Sequence, residues 1–415
     1  MFPSVNDTIV FREATADDKD LIYEHVKAVH EEDILPVMDR LFGHKSDYQI
    51  SDNFVAYDTE KNIVVSYLCL IRHALSIDGS VVPVAQMDFV GTLPEYRNRG
   101  HIRQLNELFE AKAISENIPL YLIGGIPYFY REFGYEYAIP MLRRMIVAKD
   151  LIPKLDPSES EPVLITPIDH DTFDLYLEAR EQRNSFLDMY KTISLDDREF
   201  ILECELGTAT GIELYVLQKD SKIVGMFVLE VDWGNMQIEE LWVDDFSYLP
   251  TIFRFVREKA DKHNVPISID YPSDPSLIHR LEVMTQASFS KSYAWYTKIP
   301  DIRLFLDSMR TAFGKRLETS RYNGYTGSFR LCTYREGFDI VFKSGKVENV
   351  RKLPRSEMKS FDVYLPPVVV NQLLLGYRNF TELWEFYPDV TAPTSKILLV
   401  ETLFPKLNSD IRPQI

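Results

Sequence analysis

No stretch of this 415-residue chain approaches the roughly 18 uninterrupted apolar residues that a helix needs to cross a bilayer, so no membrane partner is expected. Cysteine is scarce. Cys69, Cys204 and Cys332 are odd in number and far apart, which argues against a disulfide framework and fits a reducing, cytoplasmic setting. Met1 to Asp7 lacks the basic-then-apolar pattern of a secretory signal. No Cys-x-x-Cys or His-x-x-x-His spacing occurs, so no metal is expected. Positive charge is short: 46 Lys and Arg face 63 Asp and Glu, a net charge of −17. Such a chain repels nucleic acid overall, and its acidity suits either plain solubility or a mouth that draws in cationic substrates.

What is present is ordinary for a folded protein. The composition is 45% hydrophobic and 26% charged, with enough aromatics to fill cores, and the length allows two to four domains. Thr8 to Arg12 reads as a strand, and Ala14 to Asp18 supplies cap candidates for a helix from about Lys19 to His30. Strands are predicted at Phe54 to Asp58 and Ile63 to Arg72. Leu75 to Ile77 and Val81 to Val84 flank the hairpin signal Asp78-Gly79-Ser80, and another strand runs from Val84 to Gly91. A turn leads to a helix from about Ile102 to Asn117, then to a buried strand, Leu120 to Gly124. A short helix over Tyr128 to Phe133 and one closing strand, Tyr135 to Val147, complete this first unit.

A second unit repeats that order. QMDFVGTLPEYRNRGHIRQLNELFEAKAISENIPLYLI, from Gln86, compares with QIEELWVDDFSYLPTIFRFVREKADKHNVPISID, from Gln237, as strand, turn, helix, strand at similar spacing. Ser290 to Ile299 is expected to close this unit. Beyond Asp301 come a helix from about Arg303 to Ala312, alternating strands, and helices from Pro366 to Leu375 and near Thr381 to Phe386. Lys149 to Pro162, rich in proline and charge, and Ile299-Pro300-Asp301 read as linkers.

The strongest chemical signal is Arg97-Asn98-Arg99-Gly100-His101-Ile102, between a strand and a helix. Amide hydrogens at a turn opening a helix converge on one point, and the helix dipole favours an anion there. Gly100 lets the backbone approach a phosphate, Arg97 and Arg99 bring charge, and His101 offers a further donor. Basic residues ahead of a helix oppose its dipole, so a bound diphosphate gives them a reason to be there.

This loop resembles the Arg/Gln-x-x-Gly-x-Gly/Ala cofactor loop of the GNAT superfamily of N-acetyltransferases, with Ile102 departing at the last position. The resemblance implies acetyl-CoA as co-substrate, held by Arg97, Asn98, Arg99, Gly100, His101 and Ile102. It also implies a preceding strand whose Phe89, Val90, Gly91 and Thr92 splay from a neighbour and bind the pantetheine arm. Gly125 and Ile126, after the strand LYLI, match a place where the chain approaches the coenzyme. Tyr130-Arg131-Glu132-Phe133-Gly134-Tyr135 is similar to a signature of the enhanced intracellular survival (Eis) family, with Glu132 replacing an arginine.

That likeness covers nearly the whole chain and implies an α+β fold of two tandem acetyltransferase domains and a sterol-carrier-protein-like domain, here 1–148, 149–299 and 300–415. It implies Tyr130 as the general acid that reprotonates the coenzyme thiolate, and the terminal carboxylate of Ile415 as the base. In the second unit Asp244 and Asp245 stand where the arginine turn would be and would repel a diphosphate, so no coenzyme is expected there. The acceptor implied is a primary amine on a polyamine- or aminoglycoside-like cation or on a lysine side chain, and the assembly implied is a homo-oligomer, commonly a hexamer. The reading from another class is a non-catalytic protein that binds coenzyme or lipid.

Overall fold

The computed structural model describes residues 8–30, 32–141, 144–203, 211–232, 234–270, 275–285, 288–289 and 293–412. The chain opens with β1 (Ile9–Glu13) and α1 (Lys19–His30). Between them the amide and hydroxyl of Thr15 donate to Asp18 at 2.7 and 2.8 Å, and Arg12 donates to the same carboxylate at 2.6 and 2.8 Å. This local cap sets where α1 begins. The Arg12 contact, outweighing burial, holds the Asp18 carboxyl down at about 2.

α2 (Leu35–His44), β2 (Asn53–Asp58), β3 (Ile63–Ile77), β4 (Ser80–Thr92), α3 (His101–Ser115) and β5 (Leu120–Ile123) follow. The short strands expected on either side of Asp78-Gly79-Ser80 are continuous with their neighbours, forming one long β3–β4 hairpin. Asp78 and Gly79 both adopt left-handed φ, 47° and 86°, as a two-residue turn between right-twisted strands requires.

Next come β6 (Glu136–Pro140), β7 (Arg144–Val147), β8 (Leu164–Pro167), α4 (Phe173–Asn184), β9 (Met189–Lys191) and α5 (Arg198–Leu202). They lead to β10 (Ile212–Lys219), β11 (Lys222–Asp232), β12 (Asn235–Val243), α6 (Leu249–His263), β13 (Ile267–Asp270), α7 (Pro275–Thr285), β14 (Ser288–Phe289) and β15 (Ala294–Lys298). Here the structure corrects the sequence reading. The segment expected as one closing strand is two: β6 stays in the first sheet, while β7 pairs antiparallel with β13 in the second. In return β15, expected to close the second unit, lies between β5 and β6 of the first sheet. β15 is buried over Ala294–Thr297, and a strand buried on both faces carries no pattern that says which sheet it joins.

The remaining elements are α8 (Ile302–Ser308), α9 (Arg310–Glu318), β16 (Gly327–Cys332), β17 (Gly337–Lys343), β18 (Lys346–Leu353), β19 (Val363–Tyr364), α10 (Pro367–Leu374), α11 (Phe380–Phe386), α12 (Ile397–Leu403) and β20 (Ser409–Asp410). β18-β17-β16-β19 form a separate four-stranded sheet. The single helix expected from Arg303 to Ala312 is two, parting at Met309. Among the described residues no helix is long and apolar enough to cross a membrane.

Three covers position the first sheet. On one face α3 packs Leu105, Phe109 and Ala113 against Met87 and Tyr121. The other face is shared. At one end α1, α2 and α4 bury Ile22, Met38 and Tyr176 with Tyr67 and Cys69. At the other, Phe305, Phe313 and Leu373 bury against Val82, Val84 and Leu122. Each such side chain contributes about 1.5–3 kcal/mol through apolar burial. β20 pairs with β9, and β9 with β3, so Ser409 and Asp410 join the first sheet as an added edge.

Candidate functional site

The Arg97–Ile102 bend is open to solvent. Arg97, Asn98, Arg99 and Gly100 are all exposed, and nothing lies within 4 Å of the position a Cβ on Gly100 would take. Asn98 and Gly100 turn the backbone through left-handed φ of 63° and 79°, and α3 starts at the next residue. Arg97 Nε donates to the Thr92 carbonyl at 3.1 Å and Arg99 to that of Glu95 at 2.7 Å, leaving part of each guanidinium facing outward. Ile102 is half-buried. His101 differs from the expectation of a phosphate donor: its ring is buried, with Nδ1 3.0 Å from Ser66 Oγ and its edge against Phe11. Helical geometry turns the first side chain of α3 inward, so His101 can offer an anion its backbone amide and not its imidazole.

β4 and β5 run parallel only as far as Gln86 and Leu122, and beyond that point they part. The freed stretch holds Phe89, Val90, Gly91 and Thr92. A bulge opposite Tyr67–Cys69 puts Phe89 at φ 51°, a strained value for a bulky side chain. The Phe89 ring is buried towards α1, and its N–H donates to Asp88 Oδ1 at 2.7 Å. Val90 and Thr92 are half-buried. At Gly91 a Cβ would lie 2.7 Å from Val29 and 3.3 Å from His25 Nε2, so α1 can sit this close to the strand only over glycine.

Tyr130 lies in a short turn after β5, its ring buried among Phe129, Phe133, Tyr135 and Tyr296. A Cβ on Gly125 would run into that ring, so glycine there is what lets Tyr130 lie against the β5 exit. The hydroxyls of Tyr121 and Tyr135 are sealed without a partner; that of Tyr130 is not among the closed-off atoms. Burial first, and then the charge of Asp88, raise the Tyr130 phenol well above its ordinary value, so it is neutral. Gly125 and Ile126 are held by tyrosines from the swapped strand region: Tyr293 donates to the Gly125 carbonyl at 2.7 Å and Tyr296 to that of Ile126 at 3.3 Å. Tyr137 links the two hydroxyls at 2.6 and 2.8 Å.

Two groups at this site have no role in the sequence reading, although it starts the splayed strand at Asp88. Asp88 begins the freed stretch; it accepts from Gln86 Nε2 at 2.7 Å, and burial raises its carboxyl. Its one signal in the sequence is the Gln-x-acid triplet shared by the two repeats. Tyr296, the other, arrives from 166 positions beyond Tyr130 (296 against 130) and carries no local motif. Ile415, expected as the base, lies outside the described residues. Four positions earlier, Trp295 Nε1 donates to the Ile411 carbonyl at 3.1 Å, and the same indole lies 3.4 Å from where a Cβ on Gly124 would be.

The second unit has a comparable cleft where β12 and β13 part after Ile238 and Ile269. A cavity of about 610 Å³ opens there, lined in part by Trp242, Asp244, Phe246 and Arg412. At the turn into α6, Asp245 accepts from the Ser247 amide at 2.8 Å, occupying a backbone donor with a carboxylate. Elsewhere the fold gathers His170, Glu199 and Glu203, with ligand atoms within 4.8 Å of one another, a grouping the sequence spacing did not suggest. His170 and Glu203 are exposed and Glu199 is half-buried, and the contacts present are side chain to side chain at 3.4 and 3.5 Å.

Residues 10–138 match a family model described as an acetyltransferase (GNAT) domain. No curated protein matches the sequence. Among solved structures, the chain is similar to a GCN5-related N-acetyltransferase from Anabaena variabilis, at 14% identity and a TM-score of 0.71, over 97% of this chain and 99% of that one. It is also similar to a conserved protein of unknown function from Enterococcus faecalis, a probable N-acyltransferase, at 14% identity and a TM-score of 0.73, over 98% and 100%. Eis1 from Mycobacterium abscessus matches at 14% identity and a TM-score of 0.57, over 97% of each chain. At such identities the structural likeness speaks for the fold, which is mixed α/β and GNAT-like, and the domain match speaks for acetyl transfer in general terms.

Proposed function

We propose that this protein is an Eis-like N-acetyltransferase that moves the acetyl group of acetyl-CoA to a primary amine of a cationic small molecule, aminoglycoside- or polyamine-like, or of a lysine side chain. Residues 1–148 are the active unit, 149–299 a degenerate copy and 300–415 a sterol-carrier-like unit, the first two exchanging β7 and β15. The observation that carries the reading is one continuous path on the first unit. An open, twice left-handed bend at the start of α3 leads along a strand released from its neighbour to a neutral, partly accessible phenol.

The bend suits a diphosphate: backbone amides and the outward parts of Arg97 and Arg99 meet its charge. Free backbone along Val90, Gly91 and Thr92 suits the pantetheine amides, with Gly125 and Ile126 on the far side. In the reaction the amine nitrogen forms a bond to the thioester carbon, and the carbon–sulfur bond breaks with its electron pair on sulfur. Tyr130 gives its proton to that sulfur. The proton lost by the amine passes to a carboxylate, that of Ile415, directly or through water. The Ile411 carbonyl, bonded to Trp295 beside Gly124, supports delivery of the terminus to this place.

The test is thiol release from acetyl-CoA with spermidine, kanamycin and a lysine-containing peptide as acceptors. Release with at least one is expected; tight coenzyme binding with no release from any would favour a binding protein. Arg97→Ala with Arg99→Ala is expected to weaken coenzyme binding about tenfold or more, since each charge-assisted contact is worth roughly 1.5–3 kcal/mol; calorimetry that finds the affinity unchanged removes the loop from the site. Deleting Ile415 is expected to slow turnover by about a hundredfold while coenzyme binding holds, on the scale of losing a general base. An unaltered rate would reassign the base.

A further inference from the structure

The two clefts share the register of their bulge residue for residue, and among the described residues only one of the two acids beside it has a cationic partner. In the first, Asp88 pairs with Cys69 of β3, Gly91 pairs with Tyr67, and the bulge between them turns Phe89 to φ 51°. In the second, Glu239 pairs with Val228 of β11, Trp242 pairs with Met226, and the bulge turns Glu240 to φ 48°. Gln86 Nε2 donates to Asp88 at 2.7 Å; Gln237 Nε2 donates to Glu239 at 2.8 Å. Asp88 and Glu239 therefore occupy the same position at the mouth of two like-built clefts.

Glu239 has a cation. Arg412 brings Nη1 to 3.0 Å from Glu239 and 3.1 Å from Asp270, with Nε 3.2 Å from Asp410, and its side chain is buried. Asp88 has none: among the described residues no lysine, arginine or histidine stands within ion-pairing distance of it. Where the second cleft has Asp270, the first has Gly124, exposed and without a side chain, so this position adds no second acid beside Asp88. A half-buried carboxylate without a counter-ion is costly to keep charged, which is why burial raises it, and a cation from outside would relieve that cost.

We propose that Asp88 is the seat for the acceptor's ammonium group, and that Arg412 is a built-in occupant of the corresponding seat in the second unit. The substrate class this selects is a primary ammonium on a slender arm, small enough to pass Gly124 and placed beside the freed strand and Tyr130. The inference rests on the acetyltransferase reading for its catalytic meaning, but the seat itself is a binding claim that stands or falls alone.

The experiment titrates spermidine, kanamycin and a lysine-containing peptide into protein loaded with coenzyme A, by calorimetry, alongside thiol release with acetyl-CoA. At least one cation should bind wild type. Asp88→Asn should weaken that binding by about tenfold or more, the scale of one charge-assisted contact, with coenzyme affinity unchanged, and Asp88→Glu should restore most of it. Should the asparagine variant not fold, Asp88→Ser, smaller and uncharged, gives the same reading. Undiminished cation affinity in the uncharged variant, parallel loss of coenzyme and cation, or no cation binding to wild type each overturns the seat. Normal thiol release by Asp88→Asn at low amine removes the seat and leaves the enzyme. Cation binding that depends on Asp88, with no thiol release from wild type, removes the enzyme and leaves the seat.

Discussion

Replacing Tyr130 by phenylalanine is expected to lower turnover by about a hundredfold or more, the range of a lost general acid, and to leave coenzyme affinity nearly unchanged. The ring should stay where it is, because its neighbours hold it by contact: Phe129, Phe133, Tyr135 and Tyr296 surround it, and the missing side chain at Gly125 leaves the room it needs. Only the hydroxyl goes. On the proposed mechanism the leaving sulfur then departs as a thiolate without the Tyr130 proton. Burial and the nearby Asp88 carboxylate both favour the neutral phenol, so the acid is loaded throughout the physiological range and the pH profile should show no loss of rate from Tyr130 up to at least mildly alkaline pH. Turnover from thiol release, set against coenzyme binding by calorimetry, separates chemistry from binding. Full activity in Tyr130→Phe would end its role as acid.

The largest expected effect on stability lies in the second unit. Glu240 is buried under α4, where it accepts from Tyr176 at 3.1 Å and from Arg180 at 3.2 and 3.3 Å. Burial by itself would raise its carboxyl; the charges of Arg180, Arg183 and Arg412 outweigh that and bring it down to about 2. Arg183 is also buried and in contact with Asp410, and burial pulls it down to about 10, so it remains a cation at neutral pH. Glu240→Gln leaves buried guanidinium groups short of a counter-charge, which typically costs about 3–5 kcal/mol. Denaturant midpoints at pH 7 should fall accordingly, and a variant as stable as wild type would show that Asp410 and Glu239 suffice. The pH dependence has a definite sign. A carboxyl lower in the folded chain than in the unfolded one stabilises the fold above its ordinary value near 4.5 and ceases to do so as pH falls towards about 2. Wild type should lose stability across that window, and Glu240→Gln should lose less.

Local features were legible from the chain and distant ones were not. The bounds of α1 agree with the sequence reading because Thr15, Asp18 and Arg12 make the cap within a few residues of each other. The Arg97–Ile102 bend was legible for the same reason: glycine, a left-handed asparagine and a following amphipathic stretch are consecutive. The inward turn of His101 was not, since a single histidine at the head of a helix gives no sign of which way it faces. The exchange of β7 and β15 between sheets was hidden because both segments are short, four and five residues, and nothing local says which neighbour each pairs with. Tyr293 and Tyr296 bracing Gly125 and Ile126 depend on that exchange.

Read alone, the chain already carried the local pieces: a bend before a helix whose amides and arginines suit an anion, a tyrosine-rich turn after a buried strand, and a second copy with aspartates in place of arginines. These depend on backbone geometry and charge within a few consecutive residues. Tertiary structure alone decided which groups meet. It brought Arg412 to Glu239, left Asp88 with no cation beside it among the described residues, and set the Ile411 carbonyl against Trp295. Such meetings join residues more than a hundred positions apart, and they follow from which surfaces the whole fold buries together, a quantity that no local pattern carries.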